Sequence, residues 1–302
     1  MKRFFITFVV WLTLFAFFSN PGFSDHKTTH KPMRRCETIV VGHYLSDSYY
    51  VLSNKLKPFL KQLDNHLSTP GGKCYRTKLK ILRTYKMGQL AVLNDNVDII
   101  RMGVASFIKV QFFDPDVRVI AEELRKGSHK MHGAIIVSSE YNNVYDLSDL
   151  EGLDFAFGNV ESTTGNYISK YTLRKHGITQ SKLGDTANFR LHKDVYNSVV
   201  IGDYAGGALK MTAVLRYNDE GLVRVLMKFY TPNKVWLASN AVSPELFEKL
   251  QDTFLEFNDP SHGTMHKACF KGLKIRGFTR HVPRRYEDAI KAVETIKLFD
   301  EY

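Results

Sequence analysis

Short apolar runs of strand length alternate with longer segments of helical period through most of the chain. That alternation restricts the fold to sheets covered by helices. Residues 38–42 read as a strand, and Val51, Leu52, Leu56, Phe59, Leu60 and Leu63 follow at helical spacing. Residues 78–85, 97–102 and 117–122 read as further strands, with helices opening at Met87 and Gly103. The pattern restarts near His132. Strands are expected at 133–138, 153–157, 189–191 and 206–209, and helices at 166–176 and 194–201. Residues 223–229 read as a strand returning to the first unit. A strand at 235–238 follows, then amphipathic helices at 244–257 and 286–299. This order predicts two lobes, each a mostly parallel sheet flanked by helices. Residues 37–122 and 230–302 would form lobe 1 and residues 132–223 lobe 2, with hinges near 122–132 and 223–230. Ligands of such sheets bind beyond the carboxyl ends of the strands. Residues 43–50, 103–107, the turn after Phe157, and His192 all fall just there.

The turn after Phe157 reads Gly158-Asn159-Val160-Glu161-Ser162-Thr163-Thr164-Gly165. Strand, three consecutive hydroxyls, then helix puts Ser162, Thr163 and Thr164 at a helix N-terminus. Hydroxyls there serve as ordinary caps, or donate to a bound anion beside the unpaired backbone amides. The turn by itself leaves both readings open.

The chain begins Met1-Lys2-Arg3, continues with an apolar run over 4–18, and is then broken by Asn20-Pro21-Gly22. This predicts a secretory signal peptide over residues 1–24. No cysteine sits where a lipoprotein would be cleaved. Export permits a disulfide. Of Cys36, Cys74 and Cys269, the first two open strand-like runs. If those strands are parallel neighbours, Cys36–Cys74 is the expected bridge and Cys269 is free, although spacing alone does not fix the pairing. His262, His266 and Cys269 lack a fourth ligand and the usual paired-cysteine spacing, so no metal site is expected. The net charge of +11 suits an anionic partner. The basic residues are scattered, which argues against nucleic acid. No Gly-x-Ser-x-Gly elbow, His-Glu-x-x-His or Walker loop occurs, so neither an enzyme nor a bound cofactor is expected.

Several segments in this order resemble one family. They are Asp149-Leu150-Glu151-Gly152 with the strand and the Ser162-Thr163-Thr164-Gly165 turn, His192 ten residues before Gly202, and Gly103-Val104-Ala105-Ser106-Phe107. Pro232 to Trp236 and Gly277-Phe278 also fit. Over residues 39–286 the chain resembles the periplasmic phosphate-, phosphite- and phosphonate-binding proteins of ABC transporters. The resemblance implies the two-lobed type 2 periplasmic-binding-protein fold. It also implies a periplasmic monomer that captures a small oxyanion and delivers it to an inner-membrane permease. The alternative is a periplasmic sensor that signals to a membrane partner. Ligand contacts are implied for Ser162, Thr163, Thr164, His192, Tyr44, Tyr49, Ser106 and Phe107. Where aminophosphonate-binding members carry an acid, this chain has Ala205, so an ammonium-bearing ligand would lack its counter-charge.

Overall fold

The computed structural model describes residues 35–45, 48–125, 127–259 and 270–300. The expected signal peptide, Ser46 and Asp47 of the first loop, and His262, His266 and Cys269 lie outside these residues. Among the described residues no helix is long and apolar enough to cross a membrane.

Two sheets organise the chain. The first half supplies β1 (Glu37–Tyr44), α1 (Tyr49–Leu67), β2 (Tyr75–Leu82), α2 (Tyr85–Leu93), β3 (Ile99–Met102), α3 (Val104–Phe113) and β4 (Arg118–Leu124). The chain then builds β5 (Lys130–Ser138), β6 (Phe155–Phe157), α4 (Ser169–Lys175), β7 (Thr186–Asn188), α5 (His192–Val200), β8 (Gly206–Lys210), α6 (Met211–Tyr217) and β9 (Val223–Pro232). Last come β10 (Val235–Ala238), α7 (Pro244–Glu256), β11 (Gly277–Thr279), α8 (Glu287–Glu294) and α9 (Lys297–Asp300). The six-stranded sheet has the order β11-β4-β10-β3-β1-β2, and the five-stranded sheet β7-β6-β8-β5-β9.

In the first sheet β2 and β3 flank β1 in parallel. β10 is antiparallel to both β3 and β4, and β11 is antiparallel to β4. Strands β1 to β4 therefore share one direction. In the second sheet β6, β7 and β8 are parallel, while β5 is antiparallel to β8 and β9. Each sheet thus runs mostly one way; β5 and β10, where the chain changes sheet, and the edge strand β11 are reversed.

Helix α1 shows how the pattern becomes structure. Ser48 Oγ caps it by accepting from Val51 N, and Leu52, Leu56, Phe59, Leu60, Leu63 and Leu67 form its buried stripe. Phe59 meets Trp236, Phe254, Phe257 and Phe278 at ring separations of 5.2 to 5.6 Å, an aromatic core behind the first sheet. Cys36 and Cys74 are joined by a disulfide at the parallel start of β1 and β2, where Glu37 pairs with Tyr75. Replacing both cysteines with serine is expected to cost about 2–4 kcal/mol, read as a lower urea midpoint.

Several boundaries differ from expectation. The strand expected at 189–191 lies earlier, at Thr186–Asn188, and His192 opens α5 directly. Residues 163–168 are a wide turn with an i→i+5 bond from Tyr167 N to Ser162 O. Regular helix begins only at Ser169. β9 continues unbroken to Pro232, so the chain changes sheet at Asn233–Lys234, beyond residues 223–230. The expected last helix is split into a 3-10 turn (Pro283–Tyr286), α8 and α9. This end of the chain touches both halves. Tyr286 packs on Phe107 of α3, whereas Phe299 packs on Phe157 of β6 and Asp300 pairs with Lys170 of α4 at 2.6 Å.

The two sheet changes lie side by side. Asn233 Nδ2 donates to Glu123 O and to Ser128 O, both at 2.8 Å. Glu123 N donates to Lys234 O at 3.0 Å, and Asn233 N to His129 O at 3.1 Å.

Candidate functional site

Beside these crossovers a small cavity of ≈ 20 Å³ is lined by Tyr44, Tyr85, Gly103, Met131, Ser162, Thr163, Thr164, Lys210, Pro232 and Lys234. It lies between the ends of β1 and β3 on one side and the hydroxyl turn on the other. Close approach of the two sides requires small residues. A Cβ on Gly103 would stand 2.9 Å from Thr163 Oγ1 and 3.1 Å from the Tyr44 hydroxyl. Gly158 and Gly165, at the two ends of the turn, press backbone on backbone, and a Cβ on Gly165 would stand 2.9 Å from Gly158 Cα.

The three hydroxyls are used differently. Ser162 Oγ accepts from Gly165 N at 3.0 Å, an ordinary cap. Thr164 Oγ1 donates to Thr231 Oγ1 at 3.3 Å. Thr163 Oγ1 accepts from Ala105 N of α3 at 3.0 Å, which leaves its own proton to donate into the cavity. Next to it, Glu161 receives Lys109 Nζ at 2.8 Å and Gln89 Nε2 at 3.0 Å. The turn is thus tied to α2 and α3 from across the cleft.

Tyr44 accepts from Gly103 N, so its phenolic proton also remains to donate. Its ring stacks on Tyr85 at 4.1 Å. Burial raises the pKa of both phenols, which keeps them protonated donors at neutral pH. Ser106 is buried behind this pair. It is close enough to lower the Tyr44 pKa, but its hydroxyl has no well-formed hydrogen bond.

Lys210 and Lys234 supply the charge. Lys234 is only 6% exposed, and its Nζ lies 5.0 Å from the centre of the Tyr44 ring. No hydrogen bond or ion pair ties either amine to another described residue. Burial, then the positive charges of Arg125 and Arg101, lower the Lys210 pKa to about 8. Burial, then Arg101 and Lys210, lower that of Lys234 well below its ordinary value. One acid, Glu123, opposes them. It is fully buried, donates nothing, and accepts from Arg101 through both carboxylate oxygens, with Nη2–Oε2 at 2.8 Å. Lysines, phenols and hydroxyls, with no acid among the described residues of the cavity wall, suit an anion and repel a metal cation.

The structure brings Tyr44, Ser162, Thr163 and Thr164 around one cavity and puts other expected residues elsewhere. Tyr49 is 64% exposed in the first turn of α1 and lines no cavity described here. Phe107 faces the core, edge-on to His281 and Tyr286. His192 lines a larger neighbouring cavity, and its buried Nδ1 has no partner. Burial, then Lys210 and Lys234, lower its pKa to about 3, so it is neutral at pH 7 and brings hydrogen-bonding capacity rather than charge. His43 is shifted the same way by burial, then Lys234 and Arg101. Both imidazoles gain a proton on unfolding below the ordinary histidine pKa. Their share of stability is therefore complete above about pH 6.5 and is lost as pH falls from there, for His192 towards about 3. The melting temperature should drop already between pH 6.5 and 5, and His192→Gln should flatten that slope.

Lys210, Lys234 and Tyr85 were not singled out from the sequence. Lys210 ends β8 and Lys234 sits in a two-residue connection. Both are ordinary surface positions until the sheets are assembled.

The family model described as ABC transporter, phosphonate, periplasmic substrate-binding protein matches residues 44–286. The fold is similar to that of PhnD1 from Prochlorococcus marinus (MIT 9301), solved in complex with methylphosphonate. The TM-score is 0.73 at 19% identity, covering 86% of this chain and 98% of that one. A binding protein component of an ABC phosphonate transporter (PA3383) from Pseudomonas aeruginosa gives 0.70 at 18% identity, covering 88% and 87%. XAC2383 from Xanthomonas citri, bound to ATP, gives 0.72 at 15% identity, covering 87% and 98%.

Proposed function

The chain belongs to the periplasmic substrate-binding proteins of phosphonate ABC transporters, and from this we propose that it holds a tetrahedral oxyanion of the phosphonate, phosphite or phosphate class between its two sheets. As a member of that family it is a periplasmic solute-capturing component that works with a membrane permease, not an enzyme. In our reading Thr163, Tyr44 and Tyr85 donate hydrogen bonds to the anion while Lys210 and Lys234 neutralise it. The two sheet-bearing halves close on it by rotation about the paired crossovers. We also assign residues 1–24 to a cleaved, non-lipoprotein leader, and we expect the mature protein to act as a monomer without nucleic acid.

One observation carries this reading: two lysine amines without a partner line a cavity that also holds unspent hydroxyl protons. A buried charge without a partner is costly, and an anion in the cavity removes that cost. The same lysines argue against a ligand that carries an ammonium group, in keeping with Ala205 where an acid would be needed.

Calorimetry with phosphate, phosphite, methylphosphonate and sulfate should find a one-to-one binder. Above about pH 8, where Lys210 in the free protein has lost its proton, binding should take up a proton and weaken. Buffers of different ionisation heat will reveal that uptake. Silence from all four anions would overturn the reading.

A further inference from the structure

Lys210 and Lys234 line two cavities at once. The second is a cleft of ≈ 180 Å³, and among the described residues its walls carry Lys55, Arg101, Arg125, Lys193, Arg216 and Lys274 but no Asp or Glu. Arg101 is matched by Glu123. Arg125 has a buried Nε with no partner among the described residues, and its Nη2 makes only a long contact to Leu273 O at 3.5 Å. Lys193, Arg216 and Lys274 stand at the exposed rim. Leu52, Leu56 and Leu191 give the space an apolar side.

A simple phosphonate carries at most two negative charges. Seated at the hydroxyl turn, it would balance Lys210 and Lys234 and leave Arg125, Lys193, Arg216 and Lys274 around a cleft with no acid among its described wall residues. A surface that served only solubility would intersperse both signs. Here one sign collects in a concavity, where low-dielectric walls strengthen its field.

Taking the oxyanion reading above as its premise, we propose that the natural ligand is a small molecule with two anionic groups: a tetrahedral phosphoryl head held at the hydroxyl turn, and a second acidic group received by the basic cleft. The short apolar wall suits a carbon linker between them, as in a phosphonocarboxylate. A phosphoanhydride such as pyrophosphate presents the same pair of charges without that linker.

The test is calorimetry on the mature chain at physiological salt with methylphosphonate, 3-phosphonopropionate and pyrophosphate. At least one two-headed compound should bind about tenfold or more tighter than methylphosphonate, the gain from roughly one further charge-assisted contact. Whichever compound wins distinguishes a carbon-linked ligand from an anhydride. The exposed double variant Lys193→Ala/Arg216→Ala, checked for an unchanged circular dichroism spectrum, should bring the ratio to within about twofold of parity. The single variant Lys274→Ala gives an independent reading of the same ratio. Methylphosphonate binding as tightly as both two-headed compounds would overturn the proposal, and so would a preference that survives all these changes. Those results would leave the oxyanion site standing. Failure of methylphosphonate and both others to bind would remove the oxyanion site, and this inference with it.

Discussion

Lys234→Met is expected to weaken oxyanion binding by about 100-fold and, at the same time, to raise the melting temperature of the ligand-free protein. The two effects have one origin. The amine is buried, pairs with no carboxylate, and sits among Arg101, Lys210 and Arg125, whose charges push its pKa down. In the empty protein that charge is a burden, and a methionine of similar length packs against the Tyr44 ring without it. In the complex the charge meets an anion. Truncating one side of a buried charge pair typically costs about 2–5 kcal/mol. Calorimetry and thermal melts on the same preparations check both halves. A variant that bound normally would displace the anion from this cavity. One that bound poorly and also melted lower would mean that Lys234 supports the fold instead.

The largest loss of stability is expected from Glu123→Ala, at about 3–5 kcal/mol. Burial alone would raise the Glu123 pKa, but Arg101 overrides it by charge and hydrogen bond, with help from Arg125 and Lys234, and holds it below the usual carboxylate range. Trp236 Nε1 also donates to the carboxylate at 3.2 Å. Behind Arg101 stands His43, with Nε2 3.1 Å from Nη1. Removing the carboxylate leaves the indole N–H without its acceptor and the buried guanidinium with only the neutral His43 Nε2 opposite Nη1, beside the positive charges of Arg125 and Lys234. Urea unfolding should show the loss. Glu123→Gln, which keeps an acceptor but not the charge, should fall between wild type and Glu123→Ala. If Glu123→Ala unfolded at the wild-type midpoint, the pair would be contributing nothing net.

The lattice of strands and helices was readable because burial imposes periodicity along the chain itself. Leu52, Leu56, Phe59, Leu60 and Leu63 announce α1, and the apolar run before Gly158 announces β6. The hydroxyl turn was readable because local chemistry dictates it: glycines for close approach and a serine for the cap. The charged half of the site is of another kind. Lys210 and Lys234 are 24 positions apart and become neighbours only when the crossover strand returns to the first sheet. One signal of it is written in the sequence. Arg101 interrupts the apolar residues Ile99, Ile100 and Met102 in a strand buried along its whole length, and a charge in such a place demands a partner. Tyr49 and Phe107 illustrate the limit of reading position without direction. Each lies in a segment that borders the cleft, but side-chain direction within a helix turn decides what a residue meets. Tyr49 points to solvent, and Phe107 turns towards Tyr286.

The stitched crossovers have a consequence for the order of events during capture. Asn233 binds the backbone of the other crossover, and Lys234 is its next residue. A rotation of one sheet against the other about this seam would carry the Thr163 hydroxyl and the Glu161 carboxylate through a wide arc while scarcely moving the lysine. The attracting charge would then stay put like the pin of a gate, present whether the gate stood wide or shut. An incoming anion would be drawn to it first, and the alcohols would swing in afterwards to judge its shape.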